Sequence, residues 1–111
     1  MDNYIKTWLF DIIKSIEEID SYFPASKKFD IYTNDIRTKR AVERNIEIIG
    51  EAMGRILKEN PNINISNSRK IVDARNKIIH GYDDISDDVV WGIVINHLPL
   101  LKQEAEKLLK E

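Results

Sequence analysis

Cysteine is absent from the 111 residues, which removes disulfides, thiolate metal sites and cysteine nucleophiles together and fits a reducing compartment. Glycine and proline are scarce, with four and three copies, too few for the closely spaced turns of an all-β fold. No long apolar run exists either. The longest, Val89 to Ile95 with Gly92 inside it, has seven residues, whereas a membrane helix needs about 20. Met1 to Phe10 carries Asp2 and Lys6 among its apolar residues, so no signal peptide and no membrane contact are expected, and the expected location is cytoplasmic. Charge of one sign is lacking as well. Seventeen basic side chains against nineteen acidic ones give a net charge of −2, so any grip on nucleic acid must come from a local patch. Only two histidines occur, His80 and His97, and the acidic cluster Asp83, Asp84, Asp87 and Asp88 lacks the glycine and distal glutamate of a calcium loop. No metal and no cofactor are expected.

What is present is helical. Hydrophobic residues make up 42% and charged ones 32%, enough to bury a core and too balanced for disorder. The apolar residues recur at three and four. Ile5, Trp8, Leu9, Ile12, Ile13, Ile16 and Ile19 form one stripe on a helix from about Asn3 to Tyr22, which Pro24 stops. A polar stretch with Lys27 and Lys28 follows. A second helix is expected to begin near Thr33 or Asn34, to carry Val42, Ile46, Ile49, Met53, Ile56 and Leu57 on one face, and to end at Asn60-Pro61. Residues 61–67 read as a loop, Asn67 or Ser68 as the cap of a third helix running to His80, and Gly81 as its left-handed terminator. Ser86 caps a fourth, with Asp87 and Asp88 in its first turn. Pro99 either kinks this helix or starts a fifth. The expected architecture is all-α, a small four- to five-helix up-and-down bundle.

The third helix is unusual. At about 100° per residue, Ala74, Ile78, Ile71, Ile79 and Val72 span an apolar arc, and Arg75 falls inside it. A guanidinium cannot shed its proton, so on such a face it needs a carboxylate or a cleft where an anion sits. Asn76 and His80, four apart, share the border of the arc, while Asp73 and Lys77 face water. Cation, amide, imidazole and the phenol of Tyr82 thus gather within eight residues at a helix end. Such groups suit a phosphodiester, the guanidinium meeting phosphate charge and the imidazole moving protons. From spacing alone the plain alternative weighs as much: a histidine favourable to the helix dipole and a salt-bridged arginine.

Glu43 and Glu47, at the edge of the second helix's apolar face, are the candidate carboxylates to support Arg75. The alternative is local pairing, Glu47 with Arg44 and Glu51 with Arg55. Gly50 and Gly54 lie close by and would let another helix approach. Arg37, Lys39, Arg40 and Arg44 with Arg69, Lys70 and Lys77 form a candidate basic rim for RNA, against the ordinary reading of a solvated face. Trp8 and Trp91 read as core or interface residues, and His97 as structural.

Arg75-Asn76-Lys77-Ile78-Ile79-His80-Gly81-Tyr82 resembles the R-N-x-x-x-H-x-Y signature of HEPN-domain proteins, specifically the HepT-like toxins of toxin–antitoxin pairs. The stretch Arg40 to Ala52 resembles the family's second helix, and Val90-Trp91 with Leu98-Pro99-Leu100-Leu101 its closing segment, so the likeness covers nearly the whole chain as one domain, 1–111. The resemblance implies the toxin of a type II system: a metal-independent endoribonuclease that works as a homodimer, with RNA as substrate and a minimal nucleotidyltransferase (MNT-type) antitoxin as partner. Arg75 and His80 would be catalytic, Asn76 substrate-orienting, and Tyr82 the site of AMPylation that silences the enzyme. Five residues along a helix is a turn of about 140°, so Arg75 and His80 diverge on one copy and a two-fold axis would gather four such groups in one cleft. The competing reading is a non-catalytic helical module that docks to the nucleotidyltransferase and is modified by it.

Overall fold

Asp2 starts the first helix: its carboxylate accepts the Tyr4 backbone N–H at 2.6 Å, and α1 (Asn3–Ser21) follows without a break. The computed structural model describes residues 2–81 and 85–111. The stripe read from the sequence is the buried one, with Ile5, Leu9, Ile12, Ile16 and Ile19 shielded from water. Each such side chain contributes about 1.5–3 kcal/mol by leaving water.

The polar stretch after Pro24 contains an element the periodicity does not announce, α2 (Phe29–Asn34). Consequently the next helix starts later than Thr33 or Asn34. Asp35 is extended, with φ −116° and ψ 105°, and breaks the chain between α2 and α3 (Ile36–Glu59). Its carboxylate accepts the Arg37 N–H at 3.0 Å and the Thr38 hydroxyl at 2.9 Å, and these bonds hold its pKa below the ordinary carboxylate value. The break exists because the aspartate caps α3 better than it continues α2.

α3 is the central rod. It packs against α1 on one side and α4 (Ser68–His80) on the other. Asn45 pins its register against α1: the amide, 3% exposed, donates to the Tyr22 hydroxyl at 2.7 Å and to the Ala41 carbonyl at 3.1 Å. α5 (Asp87–Gly92) is capped by the Ser86 hydroxyl, which accepts the Val89 N–H at 3.3 Å. A π-helical stretch, Ile93–His97, then leads into α6 (Leu98–Lys110), which packs on α1. Pro99 has no N–H to give and its ring crowds the preceding turn. The wider turn relieves this: the Leu98 N–H reaches back five residues to the Ile93 carbonyl. The helical run 87–110 therefore continues through Pro99.

An aromatic group fastens α2 to this run. The Tyr32 ring stacks on Trp91 at 5.4 Å and Phe23 meets Trp91 edge-on at 5.3 Å. The result is an all-α bundle, a slab of 41 × 33 × 18 Å. No strand is formed among the described residues, and no helix among them is long and apolar enough to cross a membrane.

Candidate active site

α4 brings Ile71 and Ala74 into the core against α3 and leaves Asp73 and Lys77 in water as the arc requires, but Ile79, expected within the arc, is exposed. Arg75 lies between these faces, half-buried. Its stem rests directly on Gly50 of α3. A methyl group at Gly50 would collide with Arg75 Cβ and stand 2.9 Å from its Cγ and 3.1 Å from the Ile71 carbonyl oxygen. Gly54, one turn further on, has nothing within 4 Å of such a methyl, so of the two glycines only Gly50 serves the close approach.

The guanidinium is held from one side only. Nη1 donates to Asn76 Oδ1 at 3.1 Å, while Nε is buried and has no partner among the described residues. No carboxylate of the described residues pairs with it. Glu43 binds Arg40 at 2.8 Å, Glu47 binds Arg44 at 3.0 Å and Glu51 binds Arg55 at 2.8 Å, all within α3. Glu47 thus takes the local alternative with Arg44, and Glu43 takes a local partner the sequence reading did not name, Arg40. The physical reason is spacing: a partner three or four residues away on the same helix is met without any tertiary constraint.

His80 is the last residue of α4 and is exposed. Gly81 ends the helix at φ 60° and ψ 17°, its N–H bonded to the Lys77 carbonyl at 3.1 Å. Asn76 is half-buried. Tyr82, the expected modification site, lies outside the described residues together with Asp83 and Asp84.

Of the basic rim, Lys39, Arg40 and Lys77 come together around a cavity of about 450 Å³ that Glu43, Ser86 and Asp87 also line. Lys39 bridges to Asp87 at 2.8 Å, tying α3 to α5. Lys70 and Lys77 border a second hollow of about 330 Å³ together with Asn96 and His97. Arg37, Arg44 and Arg69 are exposed. Trp91 belongs to the aromatic group, and Trp8 is half-buried with its ring on Tyr4 at 6.1 Å.

One residue beside this region escapes any reading of the sequence. Tyr32 is fully buried and its hydroxyl has no hydrogen-bond partner. Burial raises its pKa well above the ordinary value, and the negative charges of Glu43 and Asp87 raise it further. No periodic pattern marks a phenol in a helix of six residues.

Arg75, half-buried with no carboxylate of the described residues paired to it, the Asn76 amide bonded to it and His80 at the end of the same helix make a candidate site for an anion on an all-α frame. The chain belongs to the Ribonuclease HepT-like family, whose profile matches residues 12–108. It is similar to a Thermococcus cleftensis protein named "Probable ribonuclease HepT", 35% identical over 106 residues that cover 95% of this chain and 96% of the relative. Two Methanocaldococcus jannaschii proteins, "Putative RNase MJ0127" and "Putative RNase MJ1216", are 30% and 31% identical over 111 residues, covering 96% of this chain and 88% of each relative. No solved structure matches.

Proposed function

We propose that this chain is the toxin of a type II toxin–antitoxin pair, an endoribonuclease that cuts RNA in the cytoplasm through Arg75 and His80 in a cleft shared by two copies of the chain. The observation that carries this reading is the Arg75 guanidinium, half-buried, with one nitrogen sealed and no carboxylate of the described residues paired with it. A permanent charge in that position is costly until an anion arrives, and a phosphodiester is the anion on which a neighbouring imidazole can act. Family membership and the names of the relatives support RNA as the substrate.

In the proposed reaction an imidazole of His80 takes the proton from a ribose 2′-hydroxyl. The 2′-oxygen attacks the adjacent phosphorus, the bond to the 5′-oxygen breaks, and the leaving oxygen takes a proton from the imidazolium of the second copy. The products are a 2′,3′-cyclic phosphate and a 5′-hydroxyl. Arg75 binds the phosphate and stabilises the charge that builds on its oxygens, and Asn76 keeps the guanidinium aimed. The nucleophile belongs to the substrate, so this chemistry asks for no metal. Two-fold pairing through α4 answers the roughly 140° divergence of Arg75 and His80 on one helix.

Regulation is assigned to a minimal nucleotidyltransferase that adenylylates Tyr82. An AMP group two residues from His80 adds bulk and negative charge that repel RNA phosphate without refolding the chain. Expression of wild type arrests growth, while Arg75→Ala and His80→Ala do not. Equal toxicity of all three removes the catalytic assignment. Co-expression with the nucleotidyltransferase adds AMP-sized increments to the intact mass, and their persistence in Tyr82→Phe rejects the tyrosine assignment.

A further inference from the structure

α3 carries two glycines one turn apart in quite different surroundings. In a helix interior glycine is less favourable than alanine because it has more backbone freedom to lose. At Gly54 nothing within 4 Å would obstruct a methyl group. At Gly50 the methyl would collide with Arg75 Cβ, crowd Cγ at 2.9 Å and press the Ile71 carbonyl at 3.1 Å. The group that fills the space left by Gly50 is therefore the root of Arg75, a half-buried cation that pairs with no carboxylate among the described residues.

That contact has a directional result. Gly50 is itself buried, so α3 and α4 approach closely there, and the stem of Arg75 lies in the seam with Nε closed off from solvent. Past the seam, Nη1 is taken by Asn76 at 3.1 Å. The side chain is thus fixed at its root by the absence of a neighbour and at its tip by an amide, leaving its charge to be met from outside α3.

We infer that Gly50 is a positioning residue for Arg75: its missing side chain sets the path of the arginine stem and so determines where the guanidinium meets the substrate phosphate. The inference rests on the proposed function, in which Arg75 is the phosphate-binding group. Any side chain at position 50 makes the stem swing or α4 lift. Either movement displaces the tip and opens Nε to water, and a displacement of about 1 Å in a catalytic group costs about 100-fold in rate.

The test combines turnover with the Arg75 Nε–H resonance of the isotope-labelled full chain. In wild type the Nε proton exchanges slowly with water. Gly54→Ala leaves the resonance and turnover unchanged. Gly50→Ala shifts the resonance, speeds its exchange and lowers kcat about 100-fold with a much smaller change in KM for RNA. If wild type does not cut RNA, the proposed function falls while the resonance still reports on positioning. If wild type cuts RNA and Gly50→Ala matches it in both measurements, the inference is overturned. Should Gly50→Ala fail to fold, the double variant with Arg75→Gly, which deletes the colliding Cβ and Cγ, is expected to melt with Arg75→Gly alone. A double variant that also fails to fold would assign the collision to the Ile71 backbone and overturn the inference.

Discussion

Arg75 donates from Nη1 to the side-chain oxygen of Asn76, its own chain neighbour, at 3.1 Å, while its Nε is buried and donates to none of the described residues. Neighbours on a helix point about 100° apart, so this bond curls the guanidinium around α4 and away from α3. The acceptor is neutral, and the arginine keeps its full charge for an anion. Hydrogen bonds to charged groups contribute about 1.5–3 kcal/mol. Asn76→Ala is expected to lower kcat/KM for RNA at least about tenfold with the fold intact. Asn76→Asp supplies the missing carboxylate, neutralises Arg75 and lowers RNA affinity further than alanine does. Steady-state cleavage and binding to a 2′-deoxy oligonucleotide measure both.

Tyr32 yields a stability prediction of unusual sign. Its hydroxyl is buried and unpartnered, so Tyr32→Phe removes an unpaired polar group and leaves the ring stacked on Trp91. The variant is expected to be as stable as wild type or more stable by up to about 1 kcal/mol near neutral pH. The phenol pKa is raised in the fold, first by burial and then by Glu43 and Asp87. Below its unfolded value near 10 the group is protonated in both states and has no effect. Above that value the unfolded chain releases the proton and the folded chain does not, so this contribution to stability falls as pH rises, by about 1.4 kcal/mol per unit at most. Urea melts at about pH 9 and about pH 11 should show wild type losing more stability than Tyr32→Phe.

Gly81 ends α4 directly after His80 at φ 60°, and among the described residues nothing beyond its chain neighbours lies within 4 Å of a methyl group placed on it. A side chain there has to adopt the left-handed backbone conformation, which is strained for any residue but glycine. Gly81→Ala is expected to destabilise by about 1–2 kcal/mol and Gly81→Asn by less, because asparagine tolerates the left-handed region. Urea melts give the order, and RNA turnover should fall in the same order as the last turn of α4 frays around His80.

Long elements were legible because their apolar period is repeated many times. α1, the body of α3, both ends of α4 and the Ser86 cap stand where the stripes, caps and Gly81 place them. The arc that puts Arg75 among apolar neighbours also showed how it would be half-buried. Short-range competition was not legible. Six residues of α2 complete fewer than two turns, too few to show a period, and Asp35 reads as readily as a helical residue as it does as a cap. Pro99 signals a disturbed helix, but not that a π turn would absorb it. Glu43 and Glu47 had partners within α3 as well as on α4, and spacing cannot choose between local and tertiary pairing. The match of Gly50 to the stem of Arg75 depends on how two helices cross, which one strand of sequence does not encode locally.

Whether Arg75 and His80 cut RNA is decided by incubating a single-stranded RNA with the purified chain in the presence of EDTA, with Arg75→Ala and His80→Ala as folded comparisons. Wild type is expected to give fragments ending in 2′,3′-cyclic phosphate, either variant none, and an RNA whose scissile 2′-hydroxyl is replaced by hydrogen none. Equal cleavage by all three proteins, or loss of wild-type cleavage with EDTA that returns on adding a divalent metal, would contradict the proposed reaction.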